Sequence, residues 1–407
     1  MTSTTAPPAD ILADLAALGR NPATGGYNRF AWSDPELAAR EWFVARAEAI
    51  GLEVETDRNG NLWAWWHADL PGTAFVCGSH LDSVPEGGLW DGPLGVAAAF
   101  AAVADLVADG VRPRRPIAIV AFSDEEGSRF GTACLGSRLM TGTLAPENAL
   151  GLKDAAGASL ADVLTAHGHA PEHIGADSDR IARIGEFVEV HVEQGHMPVV
   201  RVERAAGLIS LGEPLGIATQ IWPHGRWRLD LPGVANHAGT TPLADRSDPV
   251  LGMARGIVAV REAAEELGVL ATVGRVDVEP GAVNAIASLA RMWVDARGAD
   301  EERVRALIER LAHRTGERAI EESWTPVVSF DPELALSIDA AVGRTLPRLP
   351  SGAGHDAGVL ALAGIPTAMI LVRNVTGVSH SPAEHVDLPD AASGVDALRA
   401  VMAARVL

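Results

Sequence analysis

The chain has 407 residues, 47% of them hydrophobic and 21% charged; this exceeds what one core usually serves, argues for two domains and excludes the composition of a disordered chain. A formal charge of −20 repels phosphate backbones and anionic lipid, so neither nucleic acid nor a membrane is expected as a partner. Two cysteines, Cys77 and Cys134, are too few for a disulfide framework, and no basic segment precedes an apolar run at the N-terminus, so the expected location is cytoplasmic.

After a short arm, Ile11 to Leu18 reads as a helix, and a second helix runs from Asp34 to Gly51, with Ser33 and Asp34 as candidate N-caps. Short apolar strands then alternate with helices: Leu62 to Trp66, Thr73 to Cys77, a helix from Gly95, Ile117 to Phe122, and Phe187 to Val192. The apolar run Gly95 to Val107 is too short to span a bilayer and carries Asp105, so it predicts a buried helix. The alternation predicts an α/β fold whose parallel or mixed sheet is covered by helices. From Gly216 the texture changes. Strands at Gln220-Ile221-Trp222 and Trp227 to Leu231 precede an amphipathic helix, Pro249 to Leu267, then strands Ala271 to Val278 and Ala287 to Asp295 and a helix Ala299 to Thr315. That succession predicts a small inserted α+β domain of the ferredoxin-like kind. The expected division is a discontinuous first domain, 1–215 plus 330–407, and an inserted domain, 216–329.

The chemistry-bearing residues fall at predicted strand ends, where an α/β sheet opens its crevice. His80, in Gly78-Ser79-His80-Leu81-Asp82, follows the strand Thr73 to Cys77, and Asp82 is placed to accept from its second ring nitrogen. Asp91 lies just ahead of the helix from Gly95; an aspartate there either caps a helix or bridges two cations with its two oxygens, and the neighbouring pattern favours bridging. Ser123-Asp124-Glu125-Glu126-Gly127 ends the strand Ile117 to Phe122, and in a hydrolase one such glutamate binds metal while the other moves a proton. His191 ends the strand Phe187 to Val192, and His380 stands in Val378-Ser379-His380-Ser381-Pro382. Three histidines, Asp91 and the glutamate pair make a candidate site for two divalent metal ions, and nitrogen and oxygen ligands without thiolate suit zinc, manganese, cobalt or nickel. His167, His169 and His173 are expected in a surface loop, whereas His224, Trp63, Trp65 and Trp66 are expected to pack.

The strings GSHLDSVPEGGLWDGPLGV, SDEEGSRFG, HVEQG, ANHAGTTP, GAVNAI, Asp295-Ala296-Arg297, SGAGHDAG and GVSHSPAE, in this order, resemble the amidase/hydantoinase/carbamoylase branch of the di-metal aminoacylase and aminopeptidase clan. That branch includes N-carbamoyl-L-amino acid hydrolases, allantoate amidohydrolases and β-ureidopropionases. The resemblance implies a mixed-sheet di-metal catalytic domain with an inserted ferredoxin-like lid and dimerisation domain, and hence a homodimer. It implies one metal on His80, Asp91 and His191 and another on Asp91, Glu126 and His380, zinc or manganese first among the candidates. Glu125 would be the general base for a metal-bridging hydroxide attacking an amide or ureido carbonyl. Gln194, His237, Asn284 and Arg297 match substrate-holding positions, with Arg297 as the carboxylate clamp; Asp82 and His355 would support the ligands. The implied substrates are allantoate or an N-carbamoyl-L-amino acid. N-formyl or N-acyl amino acids fit the same chemistry, and an aminopeptidase or dipeptidase of the same clan is the rival. Between His191 and His237 the chain is longer than the family pattern, with RVERAAGLISLGEPLG in the approach to the lid and Met197-Pro198 where a proline is expected sooner.

Overall fold

The apolar runs Ile117–Phe122, Ala74–His80, Ile184–Val192 and Thr367–Val372 are parallel neighbours, in that order, at the centre of a nine-stranded sheet. Strands covered on both faces need apolar side chains in both directions, which is why Ile117–Phe122 shows no alternation, whereas Ile184–Val192 buries Glu186, Glu189 and His191 among its apolar residues. Three of the four are buried at every position. Leu62–Trp66 adds antiparallel to Ile117–Phe122, and Leu215–Ile221 antiparallel to Thr367–Val372, so the sheet is mixed. In this computed structural model the described residues are 8–194 and 207–407, and they form two compact units: 8–194 with 207–219 and 329–407, and 220–328. Met197-Pro198 and the opening of RVERAAGLISLGEPLG lie outside the described residues.

The helix Pro93–Ala108 is apolar on nearly every side and buried along most of its length, packed against Ala74–His80 and the C-terminal helix Leu388–Val406. Among the described residues no helix is long and apolar enough to cross a membrane. The first two helices are Pro8–Leu15 and Asp34–Ala49, and Ser33 makes no side-chain cap on the second. The first site strand reaches His80 itself, pairing it with Phe122, where the sequence pattern ends at Cys77 because Gly78 and Ser79 carry no strand signal.

In the second unit His224–Pro232, Leu270–Glu279, Leu289–Arg297 and Ala319–Thr325 form an antiparallel sheet. Its spatial order is Ala319–Thr325, His224–Pro232, Leu289–Arg297, Leu270–Glu279. Helices Pro249–Leu267 and Glu301–Thr315 supply Val260, Ala264, Val304 and Leu307 to a core with Trp227, Leu229, Met292 and Val294. The closing strand Ala319–Thr325 is absent from the sequence reading because AIEESWT is largely exposed and lacks an apolar face. Of the expected strand Gln220-Ile221-Trp222, the first two residues end the strand Leu215–Ile221, whose Leu215 to Ile217 pair with Val372 to Ile370 in the large sheet. The change of texture at Gly216 therefore falls inside a strand of the first unit's sheet.

Candidate metal centre and active site

Because the four central strands are parallel, their carboxyl ends lie along one edge of the sheet, and they deliver His80, the Ser123–Glu126 turn, His191 and the loop bearing His380 to one place. Asp91 meets them from the turn ahead of Pro93–Ala108. The N-cap of that helix is Gly92 and has no side-chain capping bond, so Asp91 is not spent on capping. Gly92 (φ +83°) is the close approach that makes this possible: a Cβ there would stand 2.4 Å from the His80 ring.

Asp91 Oδ1 lies 3.2 Å from His191 Nε2 and 3.7 Å from His80 Nε2, while its Oδ2 lies 3.4 Å from His380 Nε2. His380 Nε2 is also 3.5 Å from Glu126 Oε2. Two groups with metal-ligand spacing result, His80–Asp91–His191 and Asp91–Glu126–His380, and they share Asp91; a third, His80–Glu125–Glu126, overlaps both. His80 Nδ1 sits 3.1 Å from the Asp82 carbonyl, and His191 Nδ1 sits 2.8 Å from the Val192 carbonyl. A carbonyl can only accept, so each neutral imidazole carries its proton on Nδ1 and turns the Nε2 lone pair inward. His80 Nε2, His191 Nε2 and Glu126 Oε1 are buried without a hydrogen-bond partner. Such atoms are costly unless something else satisfies them, and two divalent cations fit this donor set.

Electrostatics sort the carboxylates. Burial alone would raise the Asp91 carboxyl, but the adjacent His191 and His80 hold it well below its ordinary range. Burial lowers the His191 imidazole, yet the adjacent Asp91 carboxylate outweighs it and lifts the group to about 9. Desolvation raises the Glu125 carboxyl well above its ordinary value, with the charges of Asp356, Glu126 and Asp82 adding to it against the pull of His80. Glu126 is raised to about 8 by burial and the nearby charge of Asp91. Glu125 Oε2 lies 3.8 Å from His80 Nε2, and the buried Cys134 thiol donates to Glu125 Oε1 at 3.6 Å. A carboxyl so placed holds a proton readily and stands beside the candidate ligand His80.

Asp82 stands beside His80 as expected, its Oδ1 3.5 Å from Nδ1 and its own carbonyl nearer. Its carboxylate accepts the backbone N–H of Glu125 at 3.2 Å and of Glu126 at 3.0 Å, fixing the turn that points the two glutamates, and His80 uses the Asp82 carbonyl. His355 packs edge-on against His191, ring centres 4.5 Å apart, and shares a hydrogen bond with Ser351 Oγ. Gln194 donates to Asp91 Oδ2 at 2.8 Å. His237, Asn284 and Arg297 belong to the second unit. His237 is exposed on the short ladder Asn236–His237 with Ala285–Ile286, the Asn284 carbonyl accepts from Ala238, and Arg297 Nε donates to Asp295 at 2.9 Å. His167 stacks on Trp32 with His169 edge-on, so these two pack a buried tryptophan. Sequence reasoning missed the roles of Glu384, Ser379 and the fully buried Arg29, which donates to the Leu81 carbonyl beneath the His80 turn. Only proximity in the fold reveals them.

A mixed α/β sheet that presents overlapping histidine–carboxylate groups and a free buried glutamate at its carboxyl edge defines a metal-dependent hydrolase. The chain belongs to the peptidase family M20/M25/M40, whose model matches residues 76–404. It is 37% identical to the N-carbamoyl-L-amino acid amidohydrolase of Geobacillus stearothermophilus, over 95% of both chains. It is 32% identical to the allantoate amidohydrolase of Escherichia coli, over 94% of both. Among solved structures, the hydantoinase/carbamoylase family amidase from Burkholderia vietnamiensis matches with a TM-score of 0.87 at 27% identity, covering 100% of this chain and 99% of that one.

Proposed function

We propose that the chain is an amidohydrolase that cleaves the ureido or amide carbon–nitrogen bond of a small carboxylate substrate, allantoate or an N-carbamoyl-L-amino acid. The observation that carries this reading is the pair of ligand groups sharing Asp91 with Glu125 free beside them. His80, Asp91 and His191 would hold one cation and Asp91, Glu126 and His380 the other, with zinc or manganese the first candidates and cobalt or nickel compatible with the same donors. The cations would supply Lewis-acid polarisation of the carbonyl and acidify the attacking water. Glu125 would accept that water's proton at its carboxylate and deliver it to the departing nitrogen. For an N-carbamoyl amino acid, water enters at the ureido carbon, the bond to the amino-acid nitrogen breaks, and the carbamate released decomposes to carbon dioxide and ammonia.

Gln194, His237, Asn284 and Arg297 would hold the substrate, Arg297 through a bidentate pair with its carboxylate and His237 at the developing oxyanion. The strand–helix–strand–strand–helix–strand order of the second unit supports reading it as a ferredoxin-like lid and dimerisation domain. Leu270–Glu279 is one of the two edges of its sheet, with Val276 exposed, and the helix Pro249–Leu267 exposes Leu251 and Val258, which supports a homodimer through this domain. Two free, buried cysteines suit the cytoplasm.

The test is ammonia and primary-amine release from N-carbamoyl-, N-formyl- and N-acyl-L-amino acids, allantoate and dipeptides, with protein stripped and reloaded with each metal. Release from ureido acids is expected; activity confined to dipeptides would replace this reading with a peptidase. Glu125→Gln should keep the metals and lose about 10²–10⁴-fold in turnover.

A further inference from the structure

Glu384 is a buried carboxylate, 4% exposed, and no cation pairs with it among the described ion pairs. Burying an unpaired carboxyl is expensive, and an apolar side chain would fill the space at less cost. Its contacts give the reason for its presence. Oε1 accepts two backbone N–H groups, from Trp90 at 3.2 Å and Asp91 at 3.0 Å. Oε2 is 3.2 Å from the Ser379 hydroxyl, which is also 3.3 Å from Asp91 Oδ2. The opposing backbone makes room for it: a Cβ on Gly88 would come within 2.3 Å of Glu384 Oε1.

We infer that Glu384 is a positioning residue that fastens the Asp91 turn to the His380 loop and so sets the outer ligand group, Asp91–Glu126–His380; this rests on the two-metal reading above. The two groups differ in what holds them. His80 and His191 lie within central strands and are almost fully buried, so the sheet fixes them. His380 lies outside any strand, at φ +54°, with its side chain 49% exposed. The turn from Ser379 to Glu384, closed by Glu384 N–H on the Ser381 carbonyl, is its local support. Glu384 binds the Asp91 peptide on one side and, through Ser379, reaches the same Oδ2 that faces His380 on the other. Loss of Glu384 therefore loosens the outer group most, since the inner one, although it shares Asp91, keeps His80 and His191 where the strands fix them.

Metal-free wild type, Glu384→Ala, Glu384→Gln and Ser379→Ala would each be titrated with Mn²⁺ by calorimetry, and bound manganese counted by mass spectrometry. Two sites are expected in the wild type. Glu384→Ala should keep one near wild-type affinity and weaken the other by about 10–100-fold, the usual effect of removing a group that orients a ligand. Glu384→Gln should retain both sites, since its amide oxygen still accepts both N–H groups and its NH₂ can donate to Ser379. Ser379→Ala leaves the backbone bonds of Glu384 in place and should weaken only one site, which decides the matter if Glu384→Ala does not fold. Equal weakening of both sites, or two unaltered sites in both alanine variants, would overturn the inference while leaving the two-metal reading standing. A wild type that binds no metal would overturn both.

Discussion

Gly92→Ala tests the closest contact that builds the centre. Gly92 has φ +83° and ψ −59°, a conformation that costs a residue with a Cβ about 1–3 kcal/mol. The added carbon would stand 2.4 Å from His80 Cε1 and Nδ1 and 2.6 Å from Nε2. Carbon contacts are comfortable from roughly 3.5 Å, so something must retreat by about 1 Å. The backbone behind Gly92 starts the buried helix Pro93–Ala108 and has nowhere to go, so the imidazole moves. A misplacement of about 1 Å at a reacting centre costs on the order of 10²-fold in rate. The control is Gly110→Ala, at φ +66° with no atom within 4 Å of the new Cβ, which carries backbone strain of about 1–2 kcal/mol and no clash. Urea denaturation of both metal-free variants, metal counting and turnover on an N-carbamoyl amino acid separate the two effects. Gly92→Ala should be the less stable, should bind the inner metal more weakly and should lose about 10²-fold in turnover, whereas Gly110→Ala should change stability alone. If Gly92→Ala matches Gly110→Ala in stability and the wild type in metal content and rate, the packing argument is wrong.

Asp82→Ala should cost about 2–4 kcal/mol in denaturant unfolding, because it strands two buried N–H groups at Glu125 and Glu126; Asp82→Asn, which keeps one acceptor, should cost less, and equal losses would speak against the turn-fixing role. Chelator should lower the thermal midpoint, since metal at 100 times its dissociation constant stabilises the folded chain by about 2.7 kcal/mol; re-addition should restore it, and an unmoved midpoint counts against a metal centre. Asp339, in the helix Pro332–Val342, gives a pH signature that involves none of the candidate ligands. Although burial opposes it, the bidentate bond to Arg348 and the Leu346 N–H hold its carboxyl below the ordinary 3.8. The stability this pair adds is present above that value and disappears as pH falls through the lowered one. Asp339→Asn should therefore be less stable near neutrality by no more than about 1 kcal/mol, with the gap closing as pH drops below 3.8; a gap that stays constant would exclude the linkage.

What could be read from the sequence follows from which signals are local. The strand Ile117–Phe122 is legible because both its faces are buried, so it is an unbroken apolar run. Pro249–Leu267 is legible from end to end because Asp248 caps it and Gly268 stops it in the left-handed conformation. The strand Ala319–Thr325 is not legible, since its pairing with His224–Pro232 is a tertiary fact that its polar sequence does not announce. At the site, residues of ligand type at strand ends stand out one by one. Their supports do not. Glu384 is one acidic residue among many until the fold brings it 293 positions back to Asp91. Asp82 stands out correctly beside His80, but which of its atoms serves the imidazole depends on the Glu125–Glu126 turn, which no local pattern fixes.

The same topology explains why ligand and support are so unevenly visible. Parallel strands must be joined by long crossovers, so residues that meet at the carboxyl edge are far apart in sequence, as His80, Glu126, His191 and His380 are. Each arrives on a separate loop, and strand geometry fixes only those within the ladder. His80 and His191 need little beyond a carbonyl for Nδ1, whereas Asp91, Glu126 and His380 stand outside the strands and must be tied by side chains. Asp82 holds the glutamate turn from below and Glu384 holds the aspartate turn from the side. Buried carboxylates spent on backbone N–H groups are thus the cost of assembling a site from loops, and they concentrate where the sheet stops giving support.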